Sequence, residues 1–321
     1  RLRRRRPAGR SRRCRVSAQA LRAPWPWFGA KDRAAAVVWA ALGNVTNYVE
    51  PFAGSLSVLL ARPHEAHIET VNDLDGFVCN FWRAVSADPD AVAAAADWPT
   101  NETDLAARHR WLTARRADLE GRLASDPDYF DAKVAGWWCW GACAWIGSGW
   151  CLRGNRQLPH LASAGTGVHS FDLRDRVPEA LQALRDRLRR TRVACGDWSR
   201  VVTPSITTKC HGAKGRMLTG VFLDPPYAEG DVSYSATSSI APAPAAARWA
   251  AEHGDDPWLR IILCGHEGEH EMPPTWRCVP WTPGRGYAVD DSNRHRERLW
   301  LSPHCLDGTR QPSLFGAAGA A

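Results

Sequence analysis

Apolar runs and amphipathic stretches alternate along the first ninety residues. Lys31 to Leu42 (KDRAAAVVWAAL) predicts a helix, and Gly43 follows it as a residue suited to end one. TNYVEPF, residues 46–52, predicts a short strand stopping at Glu50, and Ser55 to Ala61 returns to helix. HIETVND, residues 67–73, predicts a second strand that ends in an acid. Asp75 to Val85 predicts a third helix, with Phe77, Val78, Phe81, Trp82 and Val85 at helical spacing. Strand and helix alternating at these lengths predict a parallel sheet wound in βαβ units.

The pattern breaks between residues 88 and 192. Two helix-like stretches, Thr100 to Leu123 and Pro178 to Arg192, flank a Trp-, Gly- and Cys-rich segment, GWWCWGACAWIGSGWCLRGNRQLPH. Strand character resumes at RVACGD (192–197), GVFLD (220–224), RIILCG (260–265) and RERLWLS (296–302), the last predicted as an antiparallel edge strand. The expected fold is therefore α/β: a Rossmann-like doubly wound sheet, mostly parallel with one antiparallel edge, interrupted by a helical insertion. Residues 24–87 and 193–303 form the sheet domain in this reading, 88–192 the insertion, 1–23 a disordered basic leader and 304–321 a flexible tail.

Composition narrows this little. The chain has 321 residues, 45% of them hydrophobic, enough for a core of its own. It contains no run of about 18 uncharged apolar residues, so no membrane span is expected. The net charge of +7 suggests nucleic acid until its location is considered: ten arginines fall within residues 1–22, and the remainder carries −3. A nucleic-acid surface on the body must then be a local patch. Only Lys31, Lys133, Lys209 and Lys214 are lysines, a bias that a GC-rich coding sequence also produces. The leader has three readings: a phosphate-binding arm, an organelle transit peptide, or translated sequence upstream of the true start, which Arg1 in place of Met suggests. The ten cysteines are scattered; Cys139 with Cys143 and Cys264 with His266 come nearest to ligand pairs, and neither spacing repeats as a zinc site requires. No metal is expected, and the thiols read as buried and free in a reducing cytoplasm.

The chemistry gathers at strand ends, where an open parallel sheet binds its ligands. Glu50, Asp73, Asp197 and Asp224 each stand where a predicted strand stops, although any one of them could simply cap the next helix. Pro51, Phe52, Ala53 and Gly54 form a small-residue turn that lets a ligand approach the backbone. This turn is neither G-x-G-x-x-G nor a Walker loop, which disfavours a pyrophosphate. Asp73, 23 residues beyond Glu50, occupies the position from which ribose hydroxyls are held. The implied ligand is an adenosine without phosphates. Asp224-Pro225-Pro226-Tyr227 supplies a carboxylate, backbone carbonyls in a stiffened segment, and an aromatic face. Two acceptors, Asp224 and the Pro225 carbonyl, would draw an exocyclic amine's lone pair back onto nitrogen for attack on a methyl sulfonium, while Tyr227 stacks on the base.

Four stretches in this order, WFGAK (27–31), YVEPFAG (48–54), VNDLDGFVCNFW (71–82) and FLDPPY (222–227), make the chain from Trp27 to Ser302 resemble the Dam-type DNA adenine-N6 methyltransferases, found as solitary bacterial and phage enzymes and in restriction-modification systems. The resemblance implies S-adenosylmethionine as methyl donor and an adenine flipped out of double-stranded DNA as acceptor. It implies that Trp27 and Lys31 contact the cofactor, that Glu50 to Gly54 lie beneath its methionine part, that Asp73 holds its ribose, that Asp197 lies near its adenine and that Asp224 serves both cofactor and catalysis. It also makes the insertion the target-recognition region, with Arg153, Asn155 and Arg156 on DNA. A monomer on DNA, a cognate restriction endonuclease as further partner, and the cytoplasm of a bacterial or phage-infected cell complete the expectation. Ala30 stands where the family usually has glycine, and Ser55 where further glycine is common. Trp137, Trp138, Trp140, Trp145 and Trp150 leave base stacking and a local core both open. Cytosine-N4 methylation needs the same acceptors, but those enzymes more often carry Ser before Pro-Pro; a catalytically silent DNA-binding relic is the other alternative.

Overall fold

A computed structural model describes residues 21–27, 31–146, 149–152, 158–162, 165–210, 215–226, 242–281 and 295–307. In chain order its elements are α1 (Ala35–Leu42), β1 (Asn47–Glu50), α2 (Ser57–Leu60), β2 (Ile68–Asp73), α3 (Gly76–Ala87), α4 (Pro89–Ala96), α5 (Glu102–Ser125), α6 (Ala132–Ala144), β3 (Trp145–Ile146), β4 (His160–Leu161), α7 (Val177–Leu188), β5 (Thr191–Cys195), α8 (Pro204–Thr207), β6 (Thr219–Leu223), α9 (Pro242–His253), β7 (Leu259–His266), β8 (Arg277–Pro280) and β9 (Glu297–Leu301).

Seven strands form one sheet in the order β5-β2-β1-β6-β7-β9-β8. The first five are mutually parallel, with Glu50 paired to Val71 and Val49 to Val221. β9 runs antiparallel to both β7 and β8. This mixed α/β sheet is compatible with a Rossmann-like methyltransferase fold. Its order reverses between β1 and β6, so the crevice of a doubly wound sheet opens beyond the ends of these two strands.

Both faces of the sheet are buried, by alternation along each strand. Tyr48, Phe222 and Ile262 join the core shared with α1, α3 and α7; Val49, Val221, Leu223, Ile261 and Leu263 join a second core with Ala246 and Ala250 of α9. At the amino-terminal end of β2, buried Glu69 accepts from Arg62 Nη1 at 3.0 Å, Arg187 Nη1 at 2.7 Å and Thr191 Oγ1 at 3.0 Å, tying β2 to α7 and β5.

Three sequence expectations are corrected. The strand at 296–302 is antiparallel but internal; the edge belongs to β8, which the sequence left unassigned. β9 buries residues on both faces, whereas β8 alternates half-buried and exposed and ends in Pro280, a residue that edges tolerate. The first helix begins at Ala35 rather than Lys31: residues 32–34 form a turn leading into it, with the Ala35 N–H donating to the Lys31 carbonyl (2.8 Å) and the Lys31 amide donating to Ser57 Oγ (3.0 Å). The Trp-rich segment is helical through Ala144, and α4 and α9 were also unassigned.

α6 is nearly all buried, with glycines where neighbours press in. A Cβ at Gly136 would lie 2.5 Å from the Ala95 Cβ, and one at Gly141 would enter the Trp150 ring. Trp138, Trp140 and Trp150 are core residues: Trp25 meets Phe81 at 4.5 Å and Trp138 at 5.0 Å between centroids, and the indoles of Trp140 and Trp150 donate to the carbonyls of Trp98 and Trp138. Trp137 and Trp145 are half-buried. The aromatic core therefore runs from α3 into the helical stretch without a polar break.

Candidate active site

The turn after β1 is fixed from below by Asn72. Its side-chain amide donates to the carbonyls of Pro51 (3.0 Å) and Gly196 (2.9 Å), and its backbone carbonyl accepts from Ala53 N–H (2.8 Å), which ties the loops after β1 and β5 together. Gly54 has φ 45°, and a Cβ there would fall within the Trp27 indole, 2.8 Å from Cε2. Only glycine suits both the backbone and this contact. The Gly54 amide donates to Asp73 Oδ2 (2.8 Å), and its carbonyl accepts from the Trp82 indole (3.0 Å).

Asp73 ends β2 half-buried. Its Oδ1 accepts from Asp75 N–H at 2.9 Å; burial nevertheless pushes its carboxyl up to about 6, against the lowering effect of these amide bonds. Glu50 ends β1 and is 3% exposed. The Tyr48 hydroxyl donates to its Oε2 at 3.0 Å, yet burial, with the charge of Asp224 nearby, pushes the Glu50 carboxyl up to about 8. Here a buried acid keeps its proton at neutral pH.

Across the switch point, Asp224 follows β6, its side chain 20% exposed, and Lys31 Nζ lies 2.9 Å from its Oδ1. Burial alone would lower the Lys31 ammonium, but Asp224, then Cys264 and Glu297, hold it well above its ordinary value. The same ammonium stands 5.5 Å from the centroid of Trp281. Phe52 and Trp198 stack at 5.8 Å with 28° between planes, on the loops after β1 and β5.

The structure thus gathers Trp27, Lys31, Glu50 to Gly54, Asp73, Asp224, Pro225 and Pro226 around the ends of β1, β2 and β6. Asp197 differs. It lies two residues beyond β5, is exposed, and its Oδ1 accepts from Ser199 N–H (2.9 Å), which makes it the cap of a short 3-10 helix at Trp198–Val201. Tyr227, Arg153, Asn155 and Arg156 lie outside the described residues. Sequence reasoning missed Asn72, Tyr48, Trp198, Cys264, Trp281 and Glu297. Asn72 had a local signal, a buried amide beside a strand-end acid; the last three reach Lys31 only through tertiary packing. Among the described residues no group of three or more His, Cys, Asp or Glu could hold a metal, and no helix is long and apolar enough to cross a membrane.

Residues 27–125 match the family model of the D12 class N6 adenine-specific DNA methyltransferases. The chain resembles that family. The match starts at Trp27 and takes in WFGAK, YVEPFAG and VNDLDGFVCNFW, three of the four stretches behind the Dam-type resemblance. It supports methyl transfer to DNA adenine as the activity. No curated protein matches the chain.

Proposed function

We propose that this protein is a site-specific DNA adenine-N6 methyltransferase, taking the methyl group of S-adenosylmethionine and placing it on an adenine flipped from double-stranded DNA. The observation that carries the reading is the pairing of Asp224 with buried Lys31 across the switch point, 2.9 Å apart, beside a strand-end turn that lies inside the family match. Two features suit the cofactor chemically: Gly54 lets the Trp27 indole close onto the turn where a Cβ would collide with it, and Glu50 is a buried carboxyl whose proton a cationic ligand would displace.

Bound S-adenosylmethionine supplies an electrophilic methyl on a sulfonium. Trp27 and Glu50 to Gly54 would cradle its methionine part, Asp73 would accept from its ribose, and the loop at Asp197 would border its adenine. Lys31 holds one oxygen of Asp224 and so fixes the carboxylate's direction. Asp224 and the Pro225 carbonyl accept the two N6–H bonds of the target base; Pro226 stiffens the segment, and Tyr227 stacks on the base. These acceptors would hold the amine lone pair on nitrogen, available to an electrophilic methyl group. The insertion, residues 88–192, reads the DNA, with Arg153, Asn155 and Arg156 on phosphates or base edges. The enzyme acts as a monomer in the cytoplasm of a bacterial or phage-infected cell, alone or beside a cognate endonuclease.

The test is mass spectrometry of nucleosides from DNA of an expressing host. N6-methyladenine is expected; N4-methylcytosine instead, or neither base, overturns the reading. Asp224→Asn should lower transfer at least about a hundredfold, as the loss of one preorganised contact worth ~3 kcal/mol does.

A further inference from the structure

One guanidinium joins the helical stretch to the strand ends. Arg116 of α5 is 8% exposed. Its Nη1 donates to Asp75 Oδ1 at 3.1 Å and Glu120 Oε1 at 3.2 Å; its Nη2 faces Asp75 Oδ2 at 3.4 Å and donates to the carbonyl of Cys151. The guanidinium carbon also lies 4.4 Å from the centroid of Phe77.

Both ends of this contact set are constrained. Asp75 caps α3 by accepting from Phe77 N–H (2.8 Å), and its own N–H donates to Asp73 Oδ1 (2.9 Å). Asp73 in turn holds Gly54 through its other oxygen (2.8 Å). At the opposite end, Cys151 has φ 53°, a left-handed conformation that non-glycine residues adopt only when their surroundings enforce it. Its N–H donates to His109 Nδ1 at 3.3 Å. His109 and Arg116 are seven residues apart, two turns along one face of α5, and between them they grip the Cys151 backbone by its amide and its carbonyl. Burial pushes the His109 imidazole below its ordinary pKa, which keeps Nδ1 able to accept.

Contacts therefore run unbroken from Cys151 through Arg116, Asp75 and Asp73 to Gly54. A planar guanidinium with several fixed partners has few alternative arrangements. Buried, it has no water to replace a carbonyl that moves away. A displacement of the turn at Cys151 must then be met by Arg116, and passed on to Asp75 and the cofactor carboxylate.

We propose that Arg116 is a positioning residue coupling the helical insertion to Asp73, so that DNA on the insertion and cofactor at Asp73 strengthen each other's binding; this rests on the function proposed above. DNA that holds the insertion in place also holds the Cys151 turn on Arg116, and with it the Asp75–Asp73–Gly54 bonds, so the cofactor then loses less freedom in binding. The effect must be reciprocal.

The test is calorimetry on the full chain, titrating S-adenosylhomocysteine with and without a mixed-sequence DNA duplex, and the duplex with and without S-adenosylhomocysteine. Wild type should show the same gain in both directions, about fivefold or more. Arg116→Lys keeps a charge for Asp75 but cannot hold the Cys151 carbonyl as well; it should retain cofactor affinity in the absence of DNA and lose the DNA-dependent gain. Asp75→Asn keeps a helix cap and should also lose the gain, as should Arg116→Ala. A merely structural Arg116 would lower the melting temperature and leave the gain unchanged. A folded Arg116→Lys or Asp75→Asn variant with the wild-type gain overturns the coupling, as does a wild type that binds both ligands independently. A wild type that binds neither refutes the proposed function, and the coupling with it.

Discussion

Replacing Glu50 by Gln tests the electrostatics of the site without changing its shape. Glu50 is 3% exposed and keeps its proton up to about 8, against an ordinary value of 4.5, chiefly because of burial. In the unfolded chain the carboxyl ionises near the ordinary value, and in the folded chain it does not. Stability from this group is thus complete in acid, falls as pH rises between 4.5 and about 8, and is level beyond. Each tenfold in proton affinity is about 1.4 kcal/mol, so the full swing is on the order of 5 kcal/mol; water entry and rearrangement of the Tyr48 hydroxyl around an ionised carboxylate reduce it to ~2–3 kcal/mol. The Glu50→Gln amide is neutral at every pH, and its oxygen can still accept from Tyr48. The melting temperature of the ligand-free variant should therefore gain on wild type as pH rises from 5 to 9, by about 4–6 °C at a rate near 2 °C per kcal/mol. Differential scanning calorimetry across that range is the assay. Parallel curves for the two proteins would refute the account of Glu50 as a buried neutral acid.

Three further outcomes follow from the same geometry. A cationic cofactor should drive the proton off Glu50, so that binding near pH 7 releases protons; the calorimetric enthalpy of S-adenosylmethionine binding should then vary with the ionisation enthalpy of the buffer in wild type and much less in Glu50→Gln. Gly54→Ala imposes about 1–2 kcal/mol of backbone strain at φ 45° and drives a methyl group into the Trp27 indole; S-adenosylhomocysteine affinity should fall about tenfold or more, read by quenching of tryptophan fluorescence. Glu69→Gln leaves the guanidinium groups of Arg62 and Arg187 without their carboxylate, at a cost of roughly 3–5 kcal/mol in urea unfolding at pH 7. Burial alone would raise the Glu69 carboxyl, but hydrogen bonds and charge from Arg187, with further bonds from Arg62 and Thr191, hold it below its ordinary 4.5; the deficit of the variant should therefore shrink as pH falls below that value.

Asp224 illustrates how the site changes between one dimension and three. By sequence it is an acid where a predicted strand stops, able to serve as an acceptor. In the structure it lies 2.9 Å from the ammonium of Lys31, itself 3% exposed. Truncation to alanine would take both the charge and the hydrogen-bond acceptor from a buried cation; the amide Asp224→Asn also loses the charge but keeps an oxygen that can accept from Lys31, which is why it is the better probe of chemistry.

The parallel half of the sheet was legible because its signals are local. Short strand-like runs that stop at an acid, the helical spacing of Phe77, Val78, Phe81, Trp82 and Val85, and the glycine that ends α1 act within a turn or two of chain, and they place Glu50 and Asp73 at strand ends by themselves, as the GVFLD run places Asp224. Tertiary structure decided the rest. β9 lies between β7 and β8 because Leu299 and Leu301 feed one core and Trp300 the other, a two-faced burial that only an inner strand receives. α6 is helical although crowded with tryptophan and glycine, since its neighbours fill the grooves its glycines leave. Lys31 stays charged inside the protein because Asp224, distant in sequence, comes to it when the sheet closes. Short-range propensity sets which segments become strands and helices; burial on both faces and the pairing of buried charges set which of them meet.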